Sequence, residues 1–206
     1  MLNKLIIILL MNDQNSCKEV GKEEHVKIII LGLGQVGKTA TLYWLKLGAE
    51  VTTIPTIGFN CEKIKHKGIS FVIYDVGGHE RIRPLWKNYY KDTSGVIFVV
   101  DSTNEQTLEV AGSVFRQLAF DEGLYKLPIL IMANKQDVAG ALPPKKLAEI
   151  MEINQIDNHK IKFIKTSATQ GTGMDKVLDW FVERIQNKEQ EMNIEECPME
   201  YDSGEE

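Results

Sequence analysis

The sequence predicts an α/β domain: a mostly parallel six-stranded sheet with helices on both faces. Three observations carry this expectation. Apolar runs of strand length alternate with stretches of helical pattern, as in parallel-sheet folds. Two of those runs, SGVIFVVD and LPILIMAN, are apolar almost throughout, as strands buried on both faces are. A glycine-rich turn joins the first run to the first helical stretch, and strand, tight turn and helix in that order form a phosphate-binding unit.

The elements follow in order. Residues 1–24 form an N-terminal extension containing MLNKLIIILLM, whose residues 5–11 are all apolar. That run is too short to span a bilayer. As a signal peptide it has Lys4 ahead of it, but no small-residue cleavage site follows in NDQNSCKEVGKEE. Two readings stand level: a short helix that docks on the domain or on a membrane surface, and an irregular tail preceding a second start at Met11. The domain covers residues 25–187. HVKIIIL is its first strand and KTATLYWLKL its first helix; FNCEKIKH and ISFVIYD are two strands joined at Lys67-Gly68. SGVIFVVD, LPILIMAN and IKFIKTSA complete the sheet, with helices near 105–122, 144–153 and 174–188. Residues 188–206 are acidic and poor in apolar side chains, the composition of a disordered tail.

Composition narrows the function. A chain of 206 residues is one domain with tails, long enough to bury a core without disulfides or metal. Cys17, Cys61 and Cys197 are scattered, with no CxxC or Cys/His cluster. That argues against zinc and a disulfide framework, and for reduced thiols in a cytosolic compartment. The net charge of −5 is uneven: residues 188–206 hold eight acids and one lysine (−7), leaving 23 bases and 21 acids (+2) before them. A body so close to neutral gives no reason to propose a nucleic-acid partner.

The chemistry lies at the strand ends. Gly32, Leu33, Gly34, Gln35, Val36, Gly37, Lys38 and Thr39 fit GxxxxGK[ST], with Ala40 next in the helix's first turn. Glycines let the backbone wrap phosphate oxygens, and the helix N-terminus adds a favourable dipole. Lys38 offers a point charge to the β- and γ-phosphates, and Thr39 a hydroxyl to Mg²⁺. Asp75 ends the run FVIY, where a carboxylate suits Mg²⁺ through a bound water; Gly77-Gly78 follow, allowing the Gly78 N–H to approach a γ-phosphate. Asn134, Lys135 and Asp137, in NKQD, close LPILIMA. A carboxylate at Asp137 can accept from the N1–H and the amine of guanine, a donor pair that adenine lacks. This motif opposes a third reading as an ATPase or kinase. Ser167 and Ala168, in TSAT, can offer backbone N–H groups to the guanine O6.

The ordered set GLGQVGKT, PTIGFN, DVGGHERIRPLWKNYY, NKQD and TSAT resembles the ADP-ribosylation factor (Arf) and Arf-like small GTPases over residues 26–185. PTIGFN and the RPLW run are the most specific to that branch. The resemblance implies a small G domain of the P-loop NTPase fold, GTP/GDP and Mg²⁺ as ligands, and a role in vesicle or protein transport. It places Thr56 in a first switch, binding Mg²⁺ with its hydroxyl and γ-phosphate with its amide. It makes 77–90 a second switch. Phe59, Tyr74 and Tyr89 fall on an effector face, although a core role is open for Phe59, Trp86 and Tyr89. Effectors, exchange factors and activating proteins are expected to bind through 52–61 and 77–90, and a membrane surface through the N-terminal segment. The location implied is cytoplasmic, with peripheral membrane contact. Three departures stand out. Leu2 follows Met1, so N-myristoylation is not expected. Gly34 replaces an aspartate, which opens space near the γ-phosphate. Tyr74 replaces the tryptophan usual before DVGG, which bears on partner choice.

The fourth departure concerns catalysis. His79 stands where the family places the glutamine that orients the hydrolytic water. Neutral imidazole also has one donor and one acceptor, but on a rigid ring with different reach; protonated, it has no acceptor for water. Slow hydrolysis with normal nucleotide binding is the expectation. The alternative is a GTP-binding module with negligible hydrolysis, and a solvent-facing His79 with no role is the plain alternative to both.

Overall fold

The computed structural model describes residues 25–195. Its strands are β1 (Val26–Leu31), β2 (Phe59–His66), β3 (Ile69–Val76), β4 (Gly95–Asp101), β5 (Ile129–Asn134) and β6 (Ile161–Lys165). Its helices are α1 (Lys38–Leu47), α2 (Glu105–Ala119), α3 (Pro144–Ile150) and α4 (Asp175–Glu195). The six strands form one sheet in the order β2-β3-β1-β4-β5-β6, parallel except for β2 against β3. The expected fold is therefore the observed one.

The two apolar runs become the centre of the sheet for the predicted reason. Every residue of β5 is buried, and so is all of β4 except Asp101 at its tip. Residues 28–31 of β1 are wholly buried between β3 and β4. Phe98 of β4 meets Phe115 of α2 edge-on at 5.0 Å, which seats that helix on the sheet. β2 and β3 join through Lys67 and Gly68, both at positive φ (47° and 82°). Such a pair matches the twist of a two-residue hairpin.

Helix ends differ from the sequence expectation. α2 stops at Ala119, because the Asp121 carboxylate accepts from the Gly123 N–H at 3.0 Å and starts a separate 3₁₀ turn, Glu122–Leu124. α3 ends at Ile150, and Glu152 turns to the left-handed region (φ 55°) before the turn Ile153–Gln155. α4 continues to Glu195, past the boundary expected near 188. Residues 188–195 contain Lys, Glu, Gln and Met, which are good helix formers, and no Gly or Pro. Residues 188–195 of the tail expected to be disordered over 188–206 are thus helical; its remainder, 196–206, and the apolar run at 5–11 lie outside the described residues.

Cys61 is disulfide-bonded. This corrects the expectation of reduced thiols throughout. Cysteines distant in sequence need no spacing motif to meet in space.

The site gathers beyond the carboxyl end of β1, which lies between β3 and β4 in the sheet. Ligands of open α/β sheets bind in such crevices beyond the strand carboxyl ends.

Candidate nucleotide and metal site

Residues 32–39 wrap from the end of β1 into the first turn of α1. Gly37 in this loop and Gly78, which packs against it, are sterically required. Gly37 sits at φ 99°, and a Cβ on it would lie 2.3 Å from Asn134 Nδ2. A Cβ on Gly78 would lie 2.1 Å from the Gly32 carbonyl oxygen and 2.4 Å from that of Leu33. The glycine after Asp75-Val76-Gly77 thus rests directly on the phosphate loop. At Gly34, by contrast, a Cβ would meet nothing within 4 Å, consistent with the open space expected there.

Lys38 is buried, and its Nζ donates to the Leu33 carbonyl at 2.6 Å, folding back over the loop. Burial pushes its ammonium down to about 8; nearby Asp75 opposes this and Arg83 adds to it. A desolvated cation with a carbonyl for a partner is poised for an anion.

Asp75, at the end of β3, is fully buried. Its Oδ2 accepts from Thr39 Oγ1 (2.6 Å), Asn60 Nδ2 (3.1 Å) and Thr56 Oγ1 (3.4 Å). The Thr39 and Thr56 hydroxyls are 2.8 Å apart. Burial raises the Asp75 pKa, against the hydrogen bonds from Thr39, Asn60 and Thr56 and the charge of Lys38. Its Oδ1 is buried with no hydrogen-bond partner. Such an orphan is costly in a native interior. Two hydroxyls and one carboxylate are hard oxygen donors, the set that suits Mg²⁺, which keeps several waters. The residues present therefore fit the ion. Asn60 belongs to this cluster and was missed by the sequence reading, although it stands in PTIGFN.

A cavity of about 540 Å³ opens over these groups, lined among others by Gly34, Lys38, Thr39, Thr56, Gly78 and His79. Gln35 and Gly37 line it too; Leu33 and Val36 are buried and contribute carbonyls instead. Thr56 brings the loop before β2 against the phosphate loop. His79 is exposed at the cavity rim. Its Nδ1 lies 3.4 Å from the Arg81 N–H, a long contact.

At the tips of β4 and β5 the registers place Asp101 beside Asn134. Asn134 is not oriented as a base ligand in the first instance. It is buried; its Nδ2 donates to the Val36 carbonyl at 2.8 Å, and its Oδ1 accepts from the Ala168 N–H at 3.1 Å and the Thr166 hydroxyl at 3.3 Å. It staples the phosphate loop to the β6–α4 loop. The Ala168 N–H expected to face guanine is thus engaged by Asn134, and the Ser167 N–H by the Thr172 carbonyl at 3.1 Å. Lys135, at φ 65°, reaches Asp101 at 2.5 Å. Burial pushes the Asp101 carboxyl up, but hydrogen bonds from Lys135 and Thr103 outweigh it and hold the carboxyl low. An aspartate at the tip of SGVIFVVD was a legible signal for this partner. Asp137 is exposed, bonded by Thr169 Oγ1 at 3.2 Å. Hydrogen bonds, led by that of Ser167, hold it below the usual carboxylate range, so it stays an acceptor.

The aromatic residues divide. Trp86 is buried, as a core aromatic would be. Phe59, Tyr74 and Tyr89 are half-buried and form one cluster, with centroids 5.4–6.1 Å apart. Within 52–61 and 77–90, Ile57 (95% exposed) and Leu85 (52%) turn to solvent.

Residues 13–185 match the model of the ADP-ribosylation factor family. Among solved structures, the chain is similar to the Arl6 BBS3 small GTPase of Trypanosoma brucei, a structure with the nucleotide analogue GppNp bound. Identity is 28% and the TM-score 0.74, covering 80% of this chain and 99% of that one.

Proposed function

Because the chain belongs to the ADP-ribosylation factor family, small GTPases that bind and hydrolyse GTP, we propose that it is a GTP-controlled switch in which His79 makes hydrolysis slow and dependent on a partner. The observation that carries the switch reading is the meeting of Thr39, Thr56 and Asp75, with Gly78 resting on the phosphate loop. Three separate chain segments converge on the place a terminal phosphate would occupy. Loops held by one phosphate are released when it leaves.

Each residue then has a role. The loop of residues 32–39, with Ala40, would cradle the phosphates, and Lys38 would supply the charge. Thr39 and Thr56 would hold Mg²⁺, with Asp75 reaching it through water. When bound, that ion neutralises charge on the β- and γ-phosphate oxygens. Asp137 would accept from guanine. Asn134 would hold the phosphate loop and the 166–169 loop in register, and Lys135 would brace Asp101.

The role of His79 follows from its ring. If Nδ1 accepts from the Arg81 N–H, the neutral ring carries its proton on Nε2. That nitrogen donates and cannot accept a hydrogen bond from water. Glutamine offers both functions at one amide. Intrinsic hydrolysis in such switches is already slow, about 10⁻⁴ s⁻¹, and a partner's arginine raises it about 10⁵-fold. The second reading, negligible hydrolysis, draws on the same contact.

Partners would meet 52–61 and 77–90, where the Phe59/Tyr74/Tyr89 cluster lies beside exposed Ile57 and Leu85. A transport role in the cytoplasm, with peripheral membrane contact through the N-terminal segment, is the setting we infer from the family.

The test is single-turnover hydrolysis of pre-bound GTP with Mg²⁺, comparing the protein with His79→Gln. Faster hydrolysis in the variant is expected. Equal rates would mean that His79 replaces glutamine adequately or takes no part.

A further inference from the structure

We propose that Trp86, aided by Arg83, is a positioning residue for γ-phosphate recognition: its indole N–H aims the Gly78 amide at the phosphate site. This rests on the GTP-binding reading above.

The argument starts from the peptide plane. In a trans peptide the carbonyl and the N–H point in opposite directions, and no cis peptide occurs among the described residues. Trp86 Nε1 donates to the Gly77 carbonyl at 2.9 Å. That carbonyl shares its plane with the Gly78 N–H. Pinning the oxygen toward Trp86 therefore turns the N–H away from Trp86. Gly78 packs on the Gly32 and Leu33 carbonyls and lines the cavity over the phosphate loop.

The neighbouring planes are pinned as well. Arg83 Nε donates to the Gly78 carbonyl at 3.1 Å, fixing the plane that leads into His79. The Gly77 N–H donates to the Gly58 carbonyl at 2.9 Å, tying the preceding plane to the loop that carries Thr56. Two adjacent glycines have the widest backbone freedom of any pair. Three bonds on three successive planes remove it. Two of the three come from one 3₁₀ turn, Arg83–Tyr89.

Trp86 is 3% exposed, so its ring also packs in the core. Packing needs only an aromatic ring; the aim of the Gly78 amide needs the N–H. Trp86→Phe separates the two. GDP has no γ-phosphate and gives Gly78 N–H nothing to bind, whereas GTP does.

The experiment measures the Mg²⁺-dependent affinity of the full chain for GDP and for a non-hydrolysable GTP analogue, with a melting curve of each GDP-bound protein. For Trp86→Phe, GDP affinity should move less than about twofold, while analogue affinity falls roughly three- to tenfold, the worth of one hydrogen bond. Arg83→Lys keeps the charge but removes the Nε–H, and should shift the ratio in the same direction. An unchanged analogue-to-GDP ratio, or an equal loss of both affinities, would overturn the proposal and leave Trp86 a packing residue. Should Trp86→Phe fail to fold, the ratio in Arg83→Lys decides alone. If the unaltered protein binds neither nucleotide, it is the GTP-binding reading that falls.

Discussion

Lys38 offers a quantitative test of how the phosphate site is built. It is 6% exposed, and burial brings its pKa from 10.5 to about 8. A base with a lowered folded pKa binds fewer protons when folded than when unfolded. Stability of the empty protein therefore carries a penalty of about 3 kcal/mol below pH 8, which fades as pH rises toward 10.5. A bound phosphate reverses the preference, because it stabilises the ammonium. Nucleotide binding should then take up a proton: about 0.1 per molecule at pH 7, about 0.5 at pH 8 and about 0.9 at pH 9. Affinity for GDP should fall about tenfold between pH 7 and pH 9. The assay is titration calorimetry of GDP into nucleotide-free protein, in buffers of differing ionisation enthalpy. EDTA keeps metal linkage through Asp75 out of the balance. Lys38→Met gives the companion result: a higher melting temperature for the empty protein together with lost GDP binding. Zero proton uptake at pH 8 and 9, with flat affinity, would refute the account of a desolvated lysine waiting for an anion.

Three further outcomes are expected. Asn134→Ala removes the bonds to Val36, Thr166 and Ala168 and strands a buried carbonyl and N–H; the cost should be about 2–4 kcal/mol by urea unfolding, and a loss under about 1 would contradict the staple. Gly78→Ala forces a Cβ against two carbonyls of the phosphate loop, so binding of a GTP analogue should suffer more than binding of GDP; equal effects would show that Gly78 does not need this approach. Gly34→Asp enters open space, and melting of the empty protein should move by no more than about 0.5 kcal/mol; a larger loss would mean the space is not free.

Much of this protein was legible in sequence because its signals are local. The buried strands are apolar runs, and the hairpin is a Lys-Gly pair. The phosphate loop is a spacing of glycines before a helix. Thr39, Thr56 and Asp75 were each identified from their motifs, and the structure brings them together. Helix ends were less legible, since an Asp121 cap and a left-handed Glu152 compete with propensity over one or two residues.

The tertiary structure alone decided what each polar group faces. Asn134 and Asp137 lie three residues apart in one motif, yet one is a buried staple and the other an exposed acceptor. Asn60 joined the Asp75 cluster, and the Trp86 N–H reached back to Gly77, only once β2, β3 and the 3₁₀ turn had packed. A motif names a residue type at a strand tip, which backbone geometry places reliably. Which partner a side chain meets depends on strand register and loop closure across tens of residues, and no spacing in a single sequence encodes those distances.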